Sequence, residues 1–79
     1  MPDLKELLRY MAEQLVDSPE EIGITERESG GELTIELRVA PGDIGKVIGR
    51  GGGTAKDLRT IVRSAAPMGK RVNVEIVDH

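Results

Sequence analysis

The most informative segment of this chain reads Val47-Ile48-Gly49-Arg50-Gly51-Gly52-Gly53-Thr54-Ala55-Lys56-Asp57-Leu58. Positions 49–53 hold four glycines and one arginine. Glycine has no Cβ, so it adopts positive φ at little cost and lets another backbone approach closely. The segment therefore predicts a tight turn that presents one cation and can lie against an anionic chain.

A helix is predicted on each side of this turn. Residues 43–48 suit a short helix that Asp43 would cap, and residues 54–65 suit a longer one in which Thr54 and Asp57 form a capping pair. The longer helix is predicted to bury an apolar face made of Ala55, Leu58, Ile61, Val62 and Ala65. Its free N–H groups and the positive end of its dipole favour an anion beside the turn.

The chain before the turn predicts one helix and two strands. Residues 3–16 place apolar side chains at helical spacing, with Asp3 as the cap and a break at Pro19. The apolar face of this helix consists of Leu4, Leu7, Leu8, Met11 and Leu15. Residues 22–28 and 33–39 suit strands, and the sequence Ser29-Gly30-Gly31-Glu32 between them is typical of a tight hairpin turn.

A third strand is predicted near the C-terminus, where Val72, Val74 and Ile76 alternate with polar residues. The order αββααβ predicts an α+β fold with a three-stranded sheet, helices packed on one face, and the two glycine-joined strands as antiparallel neighbours. The other face of the sheet is predicted to be solvated or open to a partner. It carries Thr34, Glu36, Arg38, Asn73 and Glu75.

The length of 79 residues suits one small domain over residues 1–79, with no internal repeat or linker. The sequence has no cysteine, which excludes disulfides, cysteine-ligated zinc and thiol catalysis. No apolar run approaches the roughly 20 residues that cross a bilayer, and the N-terminus lacks the basic start of a secretory signal. We therefore expect a cytoplasmic protein that does not enter a membrane.

The net charge of −3 conceals an uneven distribution of charge. Residues 1–45 carry four basic and eleven acidic side chains, a net charge of −7, whereas residues 46–79 carry seven basic and three acidic ones, a net charge of +4. The basic half begins at the glycine-rich turn. Such a chain can attract a polyanion at one end although its overall charge is negative.

Other readings of the glycines and of the reactive side chains are weaker. A glycine-rich turn between helices can be purely structural, but four glycines around an arginine with basic flanks favour a binding role. A phosphate-binding P-loop needs Gly-Lys-Ser or Gly-Lys-Thr after a strand, and a dinucleotide fingerprint needs a third glycine that is absent here. The single histidine is His79 at the C-terminus, and the single aromatic residue is Tyr10, so neither hydrolytic catalysis nor aromatic base stacking is favoured. We expect no catalytic residue, metal, cofactor or small-molecule substrate.

The sequence resembles a KH domain, the RNA-binding module in which a GxxG loop clamps about four nucleotides of backbone. The family pattern of Ile-Gly-x-x-Gly, then a basic and an apolar residue in a helix, appears here from Ile48 to Leu58, and Gly45-Lys46-Val47 is similar to the short preceding helix. The order αββααβ is similar to the type II, bacterial arrangement. The resemblance covers the whole chain, with residues 43–65 as its GxxG core. The length of the chain is similar to that of members of the small bacterial KhpA-like family.

The resemblance implies that the chain binds single-stranded RNA without catalysis. The predicted RNA-binding residues are Lys46, Ile48, Gly49, Arg50, Gly51, Gly52, Gly53, Thr54, Lys56, Arg59 and Arg63. Arg50 and the N–H groups around residues 49–53 are predicted to hold phosphates, and the other cations to supply longer-range attraction. The pair Lys70 and Arg71 is a further candidate for such attraction. By resemblance, the role would be RNA chaperoning or post-transcriptional regulation.

A second class of function is protein–protein interaction. The leucine face of helix 3–16, or the polar face of the sheet, could bind another chain. The resemblance implies self-pairing, or a heterodimer with a larger KH protein of the KhpB or Jag type. Both functions can coexist, because a single KH module binds weakly and gains affinity when a second module is linked to it.

Overall fold

The computed structural model describes residues 3–77 of the chain, and its elements occur in the predicted order αββααβ. The elements are α1 (Leu4–Glu13), β1 (Gly23–Ser29), β2 (Glu32–Arg38), α2 (Ile44–Ile48), α3 (Gly53–Ala65) and β3 (Arg71–Ile76). Single 3-10 turns precede β1, precede α2 and join α2 to α3. The prediction for His79 lies outside the described residues. Among the described helices, none is long and apolar enough to cross a bilayer.

Helix α1 begins where its cap was predicted. The carboxylate of Asp3 accepts hydrogen bonds from the N–H groups of Lys5 at 3.0 Å and Glu6 at 3.3 Å. Leu4 and Leu8 are buried, and Ala12 is buried beside them, while Met11 is half-buried against the same core. The leucine face therefore packs inside its own domain, which overturns the prediction that it could serve as a docking surface.

The sheet has the order β1-β2-β3, with β2 in the centre. Strands β1 and β2 are antiparallel neighbours, as predicted, and Gly30 and Gly31 join them with positive φ values of 58° and 80°. Positive φ at both central residues is the geometry of a type I′ hairpin turn, whose twist matches that of the strands. Strand β3 pairs in parallel with β2, placing Val74 beside Ile35. β3 is consequently an edge strand.

The solvated face of the sheet differs from the prediction at its centre. Thr34 has only 8% of its surface exposed, because it lies on the central strand between Arg27 and Asn73, whose longer side chains flank it. Arg27 also extends across this face to Glu36 at 3.2 Å and to Glu75 at 3.8 Å. This face is thus a charged surface over a buried threonine.

Helix α3 packs on the opposite face through Ala55, Leu58 and Val62, which are buried as predicted. Ile61 was predicted to join them, but 46% of its surface is exposed. It is about 60° around the helix from Leu58 and about 100° from Val62, at the margin of the apolar stripe. Burial thus follows the centre of the stripe and stops short of its edge.

Candidate nucleic-acid interface

The connection between α2 and α3 is a compact turn closed by three backbone hydrogen bonds. The N–H of Gly49 donates to the carbonyl of Gly45 at 2.9 Å and ends α2. The N–H of Gly52 then donates to Gly49 at 3.2 Å, and the N–H of Gly53 donates to Arg50. Gly49, Gly51 and Gly52 have positive φ in this turn, and α3 begins directly after it at Gly53.

Gly49 cannot be replaced without disturbing this turn. Its φ of 75° and ψ of 173° lie in a region that is essentially restricted to glycine. A Cβ at this position would lie 2.7 Å from the Cβ of Thr54 and 2.9 Å from its backbone nitrogen, with the Oγ1 closer still. Glycine is thus required both by the backbone conformation and by the close approach of the first turn of α3.

Helix α3 begins one residue earlier than predicted, so the predicted capping pair of Thr54 and Asp57 is wrong. Gly52 is the N-cap residue, with φ of 78°, and Gly53 is already helical with φ of −64° and ψ of −41°. No side chain accepts a hydrogen bond at this cap. Thr54 lies inside the first helical turn, where it packs against Gly49. The start of α3 therefore presents backbone to solvent.

The outer side of the turn is open. Gly51 and Gly52 have positive φ, and a Cβ added to either would meet no atom within 4 Å. The side chain of Arg50 is exposed and has no ion-pair partner within residues 3–77. Three of the five N–H groups at residues 49–53 are used inside the turn, which leaves those of Arg50 and Gly51 without an acceptor within the described chain. Two backbone donors and one guanidinium thus occupy a surface free of side-chain obstruction.

Lys46 has a different environment from Arg50. Its ammonium lies 3.0 Å from the carboxylate of Asp17 and 3.2 Å from that of Asp43. The hydrogen bond to Asp17, followed by the one to Asp43, raises the pKa of Lys46. Its charge is therefore compensated by two carboxylates, which the sequence did not indicate.

Asp43 was predicted to cap α2, but its side chain makes no capping hydrogen bond. It is 3% exposed, and its carboxylate accepts the N–H of Ser18 at 3.0 Å and the ammonium of Lys46 at 3.2 Å. Burial alone raises the pKa of Asp43, but these hydrogen bonds outweigh it and the pKa is lowered. Asp43 thereby fastens the segment that follows α1 to the start of α2.

Arg59 and Arg63 lie over the free edge of β3. The Nε of Arg59 donates to the carbonyl of Val74 at 3.1 Å, and the Nε of Arg63 donates to the carbonyl of Val72 at 3.1 Å. Four residues along α3 span about the same length as two residues along a strand, so both arginines reach carbonyls on the same edge of β3. Both cations are held at the border between α3 and β3, while Lys56, nearer the turn, is exposed without an ion-pair partner among the described residues.

The two apolar residues before the turn divide their roles. Val47 is completely buried in the core, whereas Ile48 is exposed beside Gly49. Of the two, only Ile48 is among the predicted RNA-binding residues. The structure leaves only Ile48 on the surface, next to the turn.

The order αββααβ, the three-stranded mixed sheet and the helix–GxxG–helix unit define a single type II KH domain. A family model described as the KH domain of KhpA and KhpB matches residues 5–76. The chain therefore belongs to the KhpA/KhpB KH-domain family, as the sequence resemblance predicted.

Curated relatives agree with this assignment. The chain is 46% identical over 76 residues to the RNA-binding protein KhpA of Halalkalibacterium halodurans, a match that covers 95% of this chain and 100% of that protein. It is 45% identical over 75 residues to the RNA-binding protein KhpA of Clostridium acetobutylicum, covering 94% and 100% of the two chains. The corresponding protein of Aquifex aeolicus is 42% identical over 79 residues, covering 99% and 100%.

Proposed function

We propose that this protein binds single-stranded RNA, without catalysis, through the turn between α2 and α3. The observation that carries the proposal is the open outer side of that turn, where the N–H groups of Arg50 and Gly51 and the guanidinium of Arg50 are available together. Charge-assisted hydrogen bonds from a guanidinium and from backbone N–H groups suit a phosphate. The absence of side chains at Gly51 and Gly52 lets the sugar–phosphate backbone approach.

The surrounding residues fit the same function in different ways. Lys56 adds an uncompensated charge near the turn, and Arg59 and Arg63 add charge along the border with β3. Ile48 offers an apolar surface beside the turn for an unstacked base. Lys46 contributes less attraction than its position in the sequence predicted, because Asp17 and Asp43 share its charge.

The names of the relatives support RNA as the ligand, because the matched proteins are RNA-binding proteins. We extend the proposal to a cytoplasmic RNA chaperone or post-transcriptional regulator. A single module that holds about four nucleotides binds weakly, so useful affinity would come from pairing with a second copy or with a larger KH protein of the KhpB or Jag type.

The test is binding to a labelled single-stranded RNA pool over a range of salt concentrations, comparing the wild type with Arg50→Asp/Gly51→Asp. The double variant places two carboxylates where the phosphate would lie. Its matched control is Arg9→Asp/Gly30→Asp, which makes the same change in charge and places aspartate at a similar φ, 58° for Gly30 against 63° for Gly51.

We expect wild type and control to bind with affinity that falls as salt rises, and the folded loop variant to bind at least about tenfold more weakly. Equal binding by the loop variant and the control would sink the loop mechanism.

A subunit role in a KH-protein heterodimer is the alternative function. It is favoured by exposed apolar side chains away from the turn, Ile61 on α3 and Met68 in the loop before β3. The solution mass at micromolar concentration, alone and mixed with a candidate KH partner, tests this role. A strict monomer that also fails to change mass with the partner would count against it.

A further inference from the structure

A cavity of about 360 Å³ lies at the end of α3 remote from the GxxG turn. It is lined by Glu32, Arg63, Lys70, Arg71 and Val72, so three of its five lining residues are cationic. Arg63 is ten residues beyond Gly53, which places it about 15 Å along the helix from the turn. The cavity is thus separate from the cations at the turn, although Arg59 lies between the two places on the same side of α3.

The cations of this cavity are arranged to receive an anion. The Nε of Arg63 donates to Val72 at 3.1 Å, which orients the guanidinium, and its terminal nitrogens have no partner within residues 3–77. Lys70 pairs with Glu28, and Arg71 lies 3.8 Å from Glu32. One guanidinium is therefore both fixed in position and open to a ligand.

The charge balance of the cavity also favours an anion. Its three cations are accompanied by Glu32 in the lining and by Glu28, the ion-pair partner of Lys70, which leaves a net charge of +1. Lys46, in contrast, is a single cation between two carboxylates. Exposed ion pairs contribute little to stability, so a phosphate can replace glutamate as the partner of Lys70 or Arg71 at small cost. A phosphate also accepts paired hydrogen bonds from a guanidinium.

We propose that this cavity is a second phosphate site, occupied by the same RNA strand after it leaves the GxxG turn and passes Arg59. The proposal rests on the proposed RNA-binding function, because the ligand is a continuation of the strand held at the turn. It predicts a binding site longer than the roughly four nucleotides that a GxxG loop clamps.

The experiment measures the affinity of labelled oligouridylates of four and ten nucleotides for the wild type, for Lys70→Gln/Arg71→Gln and for Arg9→Gln/Arg38→Gln. The last variant removes two exposed cations that have no ion pair among the described residues, so it controls for net charge. Arg63 is left unchanged, because its loss would also uncover β3.

We expect the cavity variant to bind the ten-nucleotide strand about threefold to tenfold more weakly than the control, with affinity for four nucleotides equal to the control. The salt dependence of binding to the longer strand should correspond to the release of about one counterion fewer. The proposal would be overturned if the cavity variant gained as much affinity from four to ten nucleotides as the control does. It would also be overturned if the variant lost affinity equally for both lengths.

The remaining arms separate the possible sources of phosphate and the two proposals. Saturation of the cavity by millimolar inorganic phosphate would be seen as shifts of the amide resonances of Lys70 and Arg71. If the cavity variant then keeps the full gain in affinity from four to ten nucleotides, the cavity is a site for the free anion, and the proposal that the RNA strand occupies it is overturned. Binding that needs Arg50 but not the cavity would overturn this inference alone. No RNA binding by the wild type at either length would overturn both it and the proposed function.

Discussion

Thr54 occupies the space in which a side chain on Gly49 would have to lie. A Cβ on Gly49 would be 2.7 Å from the Cβ of Thr54 and 2.9 Å from its nitrogen, distances that real Cβ contacts do not reach. This contact sets how closely α2 approaches α3 and hence the shape of the turn between them. Glycine at position 49 is therefore a structural requirement for the site, distinct from the open access that Gly51 and Gly52 provide.

Replacing Gly49 by alanine should lower the free energy of unfolding by more than about 2 kcal/mol, because strain at positive φ adds to the clash with Thr54. Urea denaturation followed by circular dichroism measures this change. Gly53→Ala is the matched control, since Gly53 is helical and a Cβ there meets nothing within 4 Å. It should raise stability by about 0.5–1 kcal/mol. Similar effects of the two substitutions would contradict the packing of Thr54 on Gly49.

Asp43→Asn should lower the melting temperature at neutral pH, because the amide cannot hold the N–H of Ser18 and the ammonium of Lys46 as a carboxylate does. The pKa of Asp43 is lowered in the folded state. Its stabilising effect is therefore fully present at pH values above 3.8, the ordinary pKa of the carboxyl group. The effect is lost as the pH falls through the lower pKa of the folded state.

The melting temperatures of wild type and Asp43→Asn should accordingly converge as the pH is lowered through that range. Thermal scans from neutral to acidic pH provide the measurement. Asp57→Asn, which removes an exposed carboxylate, should show a much smaller difference at every pH. A gap for Asp43→Asn that stays constant down to the lowest pH would argue against the carboxylate's role.

Asp17→Asn should strengthen RNA binding, the reverse of most substitutions near a binding site. It removes one of the two carboxylates that compensate Lys46, while the other, Asp43, keeps the lysine in place. We expect a gain of about twofold to fivefold at moderate salt, shrinking as salt is added. Fluorescence anisotropy with a labelled oligonucleotide measures it. Glu20→Gln makes the same change in net charge at an exposed position, and an equal gain there would show a general charge effect.

Arg59→Lys separates the structural and electrostatic contributions of this side chain. Lysine keeps the positive charge but lacks the Nε that donates to the carbonyl of Val74. The free energy of unfolding should fall by about 1 kcal/mol, while the salt dependence of RNA binding stays unchanged. Arg59→Gln should lower both. Urea denaturation and a salt series measure the two effects, and a changed salt slope for Arg59→Lys would contradict the assignment.

The order of elements was predictable because it depends on neighbours in the chain. The alternation in β2 and β3, the glycine pair of the hairpin and the cap at Asp3 are local patterns, and each was confirmed. The caps predicted at Asp43 and Thr54 are also local patterns, and both were wrong. The errors in burial occurred where burial depends on what packs nearby. Ile61 fits the apolar stripe of α3 but no element covers it, and Thr34 fits a polar face but its neighbours on both strands enclose it.

The candidate site likewise has some features that follow from local sequence and others that depend on tertiary contacts. The turn, its glycines and the exposed Arg50 could be predicted from the sequence, because backbone conformation follows from residue type over a few positions. Which cations remain available depends on tertiary contacts that the sequence did not reveal. Asp43 meets the backbone of a residue 25 positions away, Asp17 compensates Lys46, and Arg59 and Arg63 cover the edge of β3. Hydrogen bonds and ion pairs depend on distance in space, and the folded chain sets that distance without regard to separation along the sequence.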